Sequence, residues 1–196
     1  KTATRIASGE AGSGPLATLS GLSRDVIYHF RVFEFNGTLG TTANFLTDTA
    51  SGNPISSTTM AVNPGSAASD LTITAIGTNQ FTITWTKGTT GTNTLILVKA
   101  SAVSDPTDLT TYTANTVYGG STTANGESVV YTGTGSSVTV TGLTPGQRYY
   151  VRAYAFNGSN GSQNYRTSDE PSADAYTLMG EPSQATSIAF GTLADT

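Results

Sequence analysis

The sequence predicts an all-β sandwich, and three observations support this fold class. First, residues 71–76 and 81–86 alternate apolar and polar side chains, the period of a strand with one buried face. Second, Thr and Ser are abundant among Val, Ile, Tyr and Phe, and the chain contains 22 Gly. Third, no segment places apolar residues at helical spacing. Short strands joined by turns are therefore expected throughout.

The remaining strands of the best-defined region follow in order. Residues 95–98 form a continuous apolar run, residues 128–131 and 137–140 form two shorter strands, and residues 148–156 form the longest strand. Together with a short final strand, they make about seven, the number found in a two-sheet sandwich.

An internal repeat defines the domain organisation. Residues 28–37 read Tyr-His-Phe-Arg-Val-Phe-Glu-Phe-Asn-Gly and match residues 149–158 at an offset of 121 positions. A constant offset indicates an array of similar units. The predicted units are residues 1–59, the second half of one repeat; residues 60–178, a complete repeat; and residues 179–196, the first strand of a third.

A resemblance to a known family is carried by Trp85 on the second strand and by residues 142–155, which read Gly-Leu-Thr-Pro-Gly-Gln-Arg-Tyr-Tyr-Val-Arg-Ala-Tyr-Ala. This pattern resembles the entry into the sixth strand of fibronectin type III domains. The resemblance implies an immunoglobulin-like sandwich in tandem copies, with Trp85, Leu143 and Tyr149 as structural residues. Tyr28 holds the place of Tyr149 in the preceding copy.

The same resemblance implies a tyrosine corner. The ring of Tyr149 is expected in the core, with its hydroxyl turned back to an upstream backbone group. The first copy carries Arg24 and Asp25 where the complete repeat has Pro145 and Gly146. We therefore expect a looser corner around Tyr28.

The repeat is longer than the usual sandwich domain of about 100 residues. The surplus lies near residues 100–126, an insertion between the third and fourth strands. With this insertion the sequence is similar to repeats of very large secreted or surface proteins of Bacteroidetes-type bacteria. That resemblance implies an exported adhesin or a multidomain polysaccharide-degrading enzyme as the parent protein.

Composition excludes several classes of function. The chain has 9 basic and 13 acidic residues, a net charge of −4, so it lacks the basic stripe that nucleic-acid binding needs. It has no Cys for disulfides, zinc or thiol catalysis. No window approaches the roughly 20 apolar residues of a membrane span, and no secretion signal is visible, so a signal for export is expected outside this stretch.

Candidate sites are few. His29, the single histidine, is expected on the outer face of its strand without a catalytic partner. Five acids could suggest calcium but lack the spaced pattern of a calcium loop; they are Asp105, Asp108, Asp169, Glu170 and Asp174. We therefore predict no enzyme, no metal and no cofactor.

One surface of the long strand is a candidate for binding. Its outer stripe is formed by Tyr150, Arg152, Tyr154 and Phe156, and exposed aromatic rings of this kind can stack on sugars or dock a protein. The alternative is that the insertion, with Tyr112 and Tyr118, folds over the stripe and buries it, and this alternative is favoured.

These observations favour a non-catalytic spacer and interaction module of a large exported bacterial protein, related to cell-surface adhesion. The expected location is extracellular or at the cell surface. Its partners would be neighbouring repeats and glycans or surface proteins. The alternatives are a glycan- or protein-binding module and the accessory region of a secreted polysaccharide-degrading enzyme.

Overall fold

The structure is a computed structural model and describes residues 18–39, 41–91 and 93–184. Every regular element in these ranges is a β-strand, as the sequence predicted. The strands are β1 Ile27–Phe30, β2 Phe35–Asn36, β3 Asn44–Phe45, β4 Ile55–Thr58, β5 Ser69–Thr74, β6 Gln80–Thr86, β7 Asn93–Lys99, β8 Ser128–Gly133, β9 Ser137–Thr141, β10 Arg148–Asn157, β11 Asn164–Tyr165 and β12 Ser172–Tyr176.

Strands β5 to β12 form a two-sheet sandwich. One sheet has the order β5-β6-β9, and the other has the order β8-β7-β10 with both β11 and β12 on the far edge of β10. All of these strand pairs are antiparallel. The predicted strands therefore occur where the periodicity placed them, within two or three residues at each end.

The core lies between the two sheets. Phe81, Ile83 and Trp85 alternate inward along β6 and are buried. The intervening threonines face outward, where Thr82 and Thr139 share a hydrogen bond of 3.0 Å between their hydroxyl groups. Apolar packing inside and hydroxyl pairs outside are what a period of two produces on a half-buried sheet.

The tyrosine corner forms in the complete repeat. The ring of Tyr149 is buried and packs edge-on against Tyr118, with ring centres 4.9 Å apart. Its hydroxyl oxygen accepts a hydrogen bond from the Thr144 backbone N–H at 3.0 Å. The Thr177 hydroxyl donates to the Thr144 carbonyl at 2.6 Å and so ties the end of β12 to the same loop. Leu143 is also buried beside this corner.

The corner of the first copy has the same hydrogen bonds. The Tyr28 hydroxyl accepts from the Ser23 backbone N–H at 2.9 Å, and the Thr59 hydroxyl donates to the Ser23 carbonyl at 2.7 Å. Thr59 also accepts from the Val26 backbone N–H at 3.0 Å. Strands β1 and β4 pair through four residues each, as β10 and β12 do over five.

The expected loosening of this corner was wrong. Asp25 adopts a positive φ of 56°, close to the 69° of Gly146 at the matching position. Asp is one of the few residues other than Gly that enter the left-handed region at modest cost. The turn therefore keeps its shape without the Pro145 and Gly146 pair.

Parts of the predicted domain organisation lie outside the described residues. Residues 1–17 and 185–196 are not described, so the division into units 1–59, 60–178 and 179–196 stays a prediction. Residues 179–184 contain no strand.

Replacing Tyr149 with Phe tests the corner. The substitution keeps the ring but leaves the Thr144 N–H without its acceptor, so we expect a loss of about 1–3 kcal/mol in the free energy of unfolding. Urea titration followed by Trp85 fluorescence measures it. Tyr176→Phe, at an exposed ring, is the control and should change stability much less. Equal losses in the two variants would contradict the role of the Tyr149 hydroxyl.

Candidate interaction surface

The candidate stripe occupies the face of β10 that points away from the sandwich core. In the strand register Tyr150 lies between Lys99 of β7 and Asp174 of β12. Arg152 lies between Leu97 of β7 and Ser172 of β12. The stripe thus runs along β10, in the middle of the larger sheet.

The stripe is not a continuous exposed surface, which corrects the binding role considered for two of its members. Tyr154 has 0% and Phe156 6% of its surface exposed. They belong to a second buried cluster, which comprises Leu95, Leu97, Val103, Val129, Tyr154, Phe156 and Tyr165 with Tyr112, Ala114 and Tyr150 packed against it. Val103, Tyr112 and Ala114 come from the insertion, so the insertion covers the stripe.

The Tyr154 hydroxyl is hydrogen-bonded to two charged side chains. It donates to the Asp105 carboxylate at 3.0 Å and accepts from the Arg152 guanidinium at 3.3 Å. Arg152 also contacts Asp105 at 3.0 Å and Glu170 at 3.1 Å. Burial raises the pKa of Tyr154 well above its ordinary value. Arg152 therefore joins the insertion to the loop before β12.

The acids considered for calcium have other partners. Asp105 and Glu170 contact Arg152, as above. Arg148 contacts Asp174 at 2.8 Å, and Arg166 contacts Asp169 at 3.0 Å. The Asp108 carboxylate accepts from the Tyr165 backbone N–H at 2.8 Å. Within the part of the chain that the structure describes, no three His, Cys, Asp or Glu residues are grouped to hold a metal ion.

The accessible remainder of the face lies around Tyr150, which is half-buried. A shallow groove of about 200 Å³ runs beside it, lined by Ala102, Val103, Tyr150, Arg152, Ser172 and Asp174. Pockets for small organic ligands are larger, roughly 300–1,000 Å³. The groove therefore suits contact with an extended partner better than enclosure of a small molecule.

A cation and two aromatic rings flank this groove. The Arg148 guanidinium lies 4.9 Å from the Tyr150 ring centre and 5.7 Å from the Tyr176 ring centre. Tyr176 is exposed. A stacked cation orders aromatic rings, which then present a flat and partly apolar surface at low entropic cost. Arg148, Tyr150 and Tyr176 are therefore the residues of this face best placed to contact a partner.

His29, the single histidine, lies on the exposed face of β1 opposite Ser56. Its neighbour along the same face, Arg31, lies 4.6 Å from the Phe33 ring centre. The structure thus places His29 on a solvated strand face, as the alternation predicted.

Sequence reasoning missed Glu127, a carboxylate that is buried at the end of the insertion. It accepts from Lys99 at 3.1 Å, from the Ser104 backbone N–H at 3.2 Å, and from the Thr123 hydroxyl. Burial acts to raise the pKa of Glu127, but the hydrogen bonds from Thr123, Lys99 and Ser104 outweigh it and lower the pKa to about 2. The sequence signal that could have identified Glu127 is its place as an acidic residue directly before a predicted strand, β8.

Alanine substitutions separate the buried and accessible tyrosines of the stripe. Tyr154→Ala leaves a cavity under the insertion and removes one of the two hydrogen-bond partners of the Asp105 carboxylate, so we expect a loss of about 3–5 kcal/mol in stability. Tyr150→Ala, at a half-buried position, should cost about 1 kcal/mol. Chemical denaturation followed at Trp85 measures both, and a Tyr154→Ala loss no larger than that of Tyr150→Ala would contradict the buried position of Tyr154.

Glu127 predicts a loss of stability in acid. Its folded pKa of about 2 lies below the ordinary value of 4.5, so its contribution is complete above pH 4.5 and disappears as the pH falls towards 2. At about 1.4 kcal/mol per pKa unit the contribution is about 3 kcal/mol.

Unfolding free energies measured from pH 6 to pH 2 should therefore fall more steeply in the native protein than in Glu127→Gln. Asp174→Asn, at an exposed ion pair, is the matched control and should keep the native slope. A Glu127→Gln variant with the native slope would show that this carboxylate is not responsible.

The complete sandwich matches a known protein family. Residues 66–169 match the family model of the fibronectin type III domain. No curated protein matches the chain. No helix among the described residues has the length and apolar character to cross a membrane.

Similar solved structures include a β-sandwich protein redesigned by computer, 19% identical over 59% of this chain and 98% of that one, with a TM-score of 0.40. A fibronectin type III domain from the human KIAA0970 protein is 14% identical over 66% of this chain and 87% of its own, with a TM-score of 0.38. The FN1-FN3 domains of chicken CNTN1 are 14% identical over 64% of this chain and 34% of theirs, with a TM-score of 0.40.

Proposed function

The chain belongs to the fibronectin type III family, and we propose that it is a non-catalytic structural and interaction module whose successive sandwich units act as a spacer within a larger polypeptide. Domains of this family generally serve as scaffolds. The observation that carries the proposal is the recurrence of the corner: Tyr28 and Tyr149 accept from matching backbone N–H groups, and Thr59 and Thr177 close both loops.

The same recurrence supports a tandem organisation. The offset of 121 residues between the two tyrosines is the length of one unit with its connector. The connector between the two units, residues 61–64, is short and leaves little slack, and Pro64 in it fixes one backbone angle. Units joined in this way extend a chain lengthwise, which is the property that a spacer needs.

We further propose that the parent protein is a large exported bacterial protein and that its setting is the cell surface, where the module takes part in adhesion. The low share of charged residues, 11%, and the Thr- and Ser-rich outer faces are compatible with this setting. Neighbouring repeats of the same polypeptide would be its constant partners. An accessory region of a polysaccharide-degrading enzyme would have the same module, and the flanking sequence distinguishes the two.

A second candidate function is recognition of a glycan or a surface protein. It is favoured by the flat face of Arg148, Tyr150 and Tyr176 beside the groove. Glycan-array or pull-down binding by the native chain, abolished in a Tyr150→Ala variant that still shows the native Trp85 fluorescence, would support it. Binding that survives Tyr150→Ala and Tyr176→Ala together would exclude this face.

Small-angle X-ray scattering tests the spacer function. Polypeptides with one, two and three consecutive units should show a maximum dimension that increases by the same amount with each added unit, because the units join end to end. A maximum dimension that levels off, as in a compact globule, would contradict the proposal.

A further inference from the structure

The connector between the first copy and the complete sandwich, residues 61–64, is hydrogen-bonded along the turn that follows β10. The Ala61 backbone N–H donates to the Ser162 carbonyl at 2.8 Å. The Asn157 side-chain amide donates to the Val62 carbonyl at 2.9 Å. These contacts are polar and directional, so they fix the path of the connector as well as its position.

Strand β11 and the residue after it continue the same contact. The Asn164 amide donates to the Ala61 carbonyl at 2.9 Å and its oxygen accepts from the Asn63 amide at 3.0 Å. The Arg166 guanidinium donates to the Pro64 carbonyl at 3.1 Å. Backbone or side-chain groups of all four connector residues are therefore bonded to this hairpin.

The first copy also contacts the hairpin directly. Asp25, in the loop before β1, accepts a hydrogen bond from the Ser162 hydroxyl. Ser162 is completely buried, and the loop that carries Asp25 is the loop of the tyrosine corner. One residue of the β10–β11 turn thus contacts both the connector, through its backbone carbonyl, and the preceding copy, through its side-chain hydroxyl.

The side chains that form this contact recur in the first copy. We call Asn157, Ser162 and Asn164 the docking set; the matching residues are Asn36, Thr42 and Asn44. The turn geometry is shared, because the Thr42 hydroxyl accepts from the Thr38 N–H at 3.0 Å as the Ser162 hydroxyl accepts from the Ser159 N–H at 2.9 Å.

Burial differs between the two sets. Ser162 and Asn164 are buried by the connector and Asn157 is half-buried, whereas Asn36, Thr42 and Asn44 are exposed. Both hairpins carry two carboxamides and one hydroxyl at matching positions. The docking set is therefore a feature of the repeated unit and is not confined to this one junction. The amides bind backbone carbonyls, which any connector supplies.

We infer that the docking set is an interaction surface for the preceding unit of the same polypeptide, and that it makes the junction between residues 18–59 and residues 60–178 a fixed joint. This inference rests on the proposed spacer function and states how the spacer keeps its direction. The partner is the preceding unit, recognised through its connector carbonyls and, at this junction, through Asp25.

Distance measurement between two spin labels tests the joint. The chain has no Cys, so labels at Ser56→Cys on β4 and Ser137→Cys on β9, both exposed strand positions, are the only ones introduced. The labelled native background should give one narrow distance distribution. Asn157→Ala with Asn164→Ala should broaden it, because the connector carbonyls lose their donors.

Asn125→Ala, at an exposed asparagine of the insertion, is the matched control and should leave the distribution narrow. Trp85 fluorescence shows whether each variant retains the folded sandwich. Asp25→Gly is the second test, since Gly stands at the matching position 146 with the same sign of φ and the substitution removes the side chain that contacts Ser162.

A broad distribution in the native background would overturn the fixed joint. So would a narrow distribution in both the double alanine variant and Asp25→Gly while the Trp85 signal stays native. If the double variant loses the folded sandwich, Asp25→Gly decides alone. If the fixed joint is contradicted but scattering still shows linear extension, the spacer function remains supported. A compact shape would contradict the spacer function itself.

Discussion

The need to cover both faces of β10 determines the rest of this structure. The strand lies between β7 on one edge and β12 and β11 on the other, and its side chains alternate between the two faces. Val151 and Ala153 face the opposite sheet, which buries them. Tyr154 and Phe156 face the other way, where a two-sheet sandwich offers no third layer. The insertion supplies that layer, and this requirement explains why the unit exceeds the usual length of the family.

The insertion achieves this without regular strands, so its backbone groups need other partners. Side chains supply several of them. The Tyr112 hydroxyl accepts from the Thr107 N–H at 3.0 Å, and the Tyr118 hydroxyl accepts from the Ala100 N–H at 3.2 Å. The Ser121 hydroxyl donates to the Thr113 carbonyl at 2.6 Å. Long irregular segments are uncommon in compact domains, and this one is ordered because its tyrosines act both as core residues and as hydrogen-bond partners.

Both ends of the insertion are joined by an ionic contact. Lys99 closes β7 and Glu127 precedes β8, so their 3.1 Å contact holds the two strand ends together. The carboxylate is buried, and a buried charge is tolerated only where hydrogen bonds replace its water. The Ser104 N–H and the Thr123 hydroxyl provide them. Removal of one partner would leave a buried charge, which makes this pair important for the insertion's position over β10.

The sequence predicted what depends on neighbours along the chain and missed what depends on distant segments. Alternation is a local property, so the strands, the inward Trp85 and the corner of Tyr149 were predictable. The insertion was expected to cover Tyr154, but periodicity gives no information about which of its residues do so. Tyr112 packs over the stripe as expected, whereas Tyr118 packs against Tyr149 between the sheets, which corrects the covering role expected for it. Glu127 was missed for the same reason, since its partner Lys99 belongs to another strand.

The wrong expectation about the first corner has a different cause. Comparison of the two copies suggested a looser corner where Arg24 and Asp25 replace Pro145 and Gly146, but the turn requires only a residue that tolerates positive φ, and Asp25 does. The residues of this loop differ between the two copies, while the backbone φ at the matching position has the same sign. That difference matters for the junction, because a Gly has no side chain with which to contact the next unit and an Asp has a carboxylate.

Hydrogen bonds also explain why β1 and β4 of the first copy stay paired with little apolar packing around them. Val32 is 73% exposed and Ile55 62%, so burial contributes little there. The corner bonds of Tyr28 and Thr59 and the strand pairing of β1 with β4 still form. Polar contacts between the corner loop and Thr59 therefore hold this strand pair where apolar burial contributes little. The turn that carries the docking set keeps the same hydrogen bond in both described copies, which is what the proposed stacking of units in one direction requires.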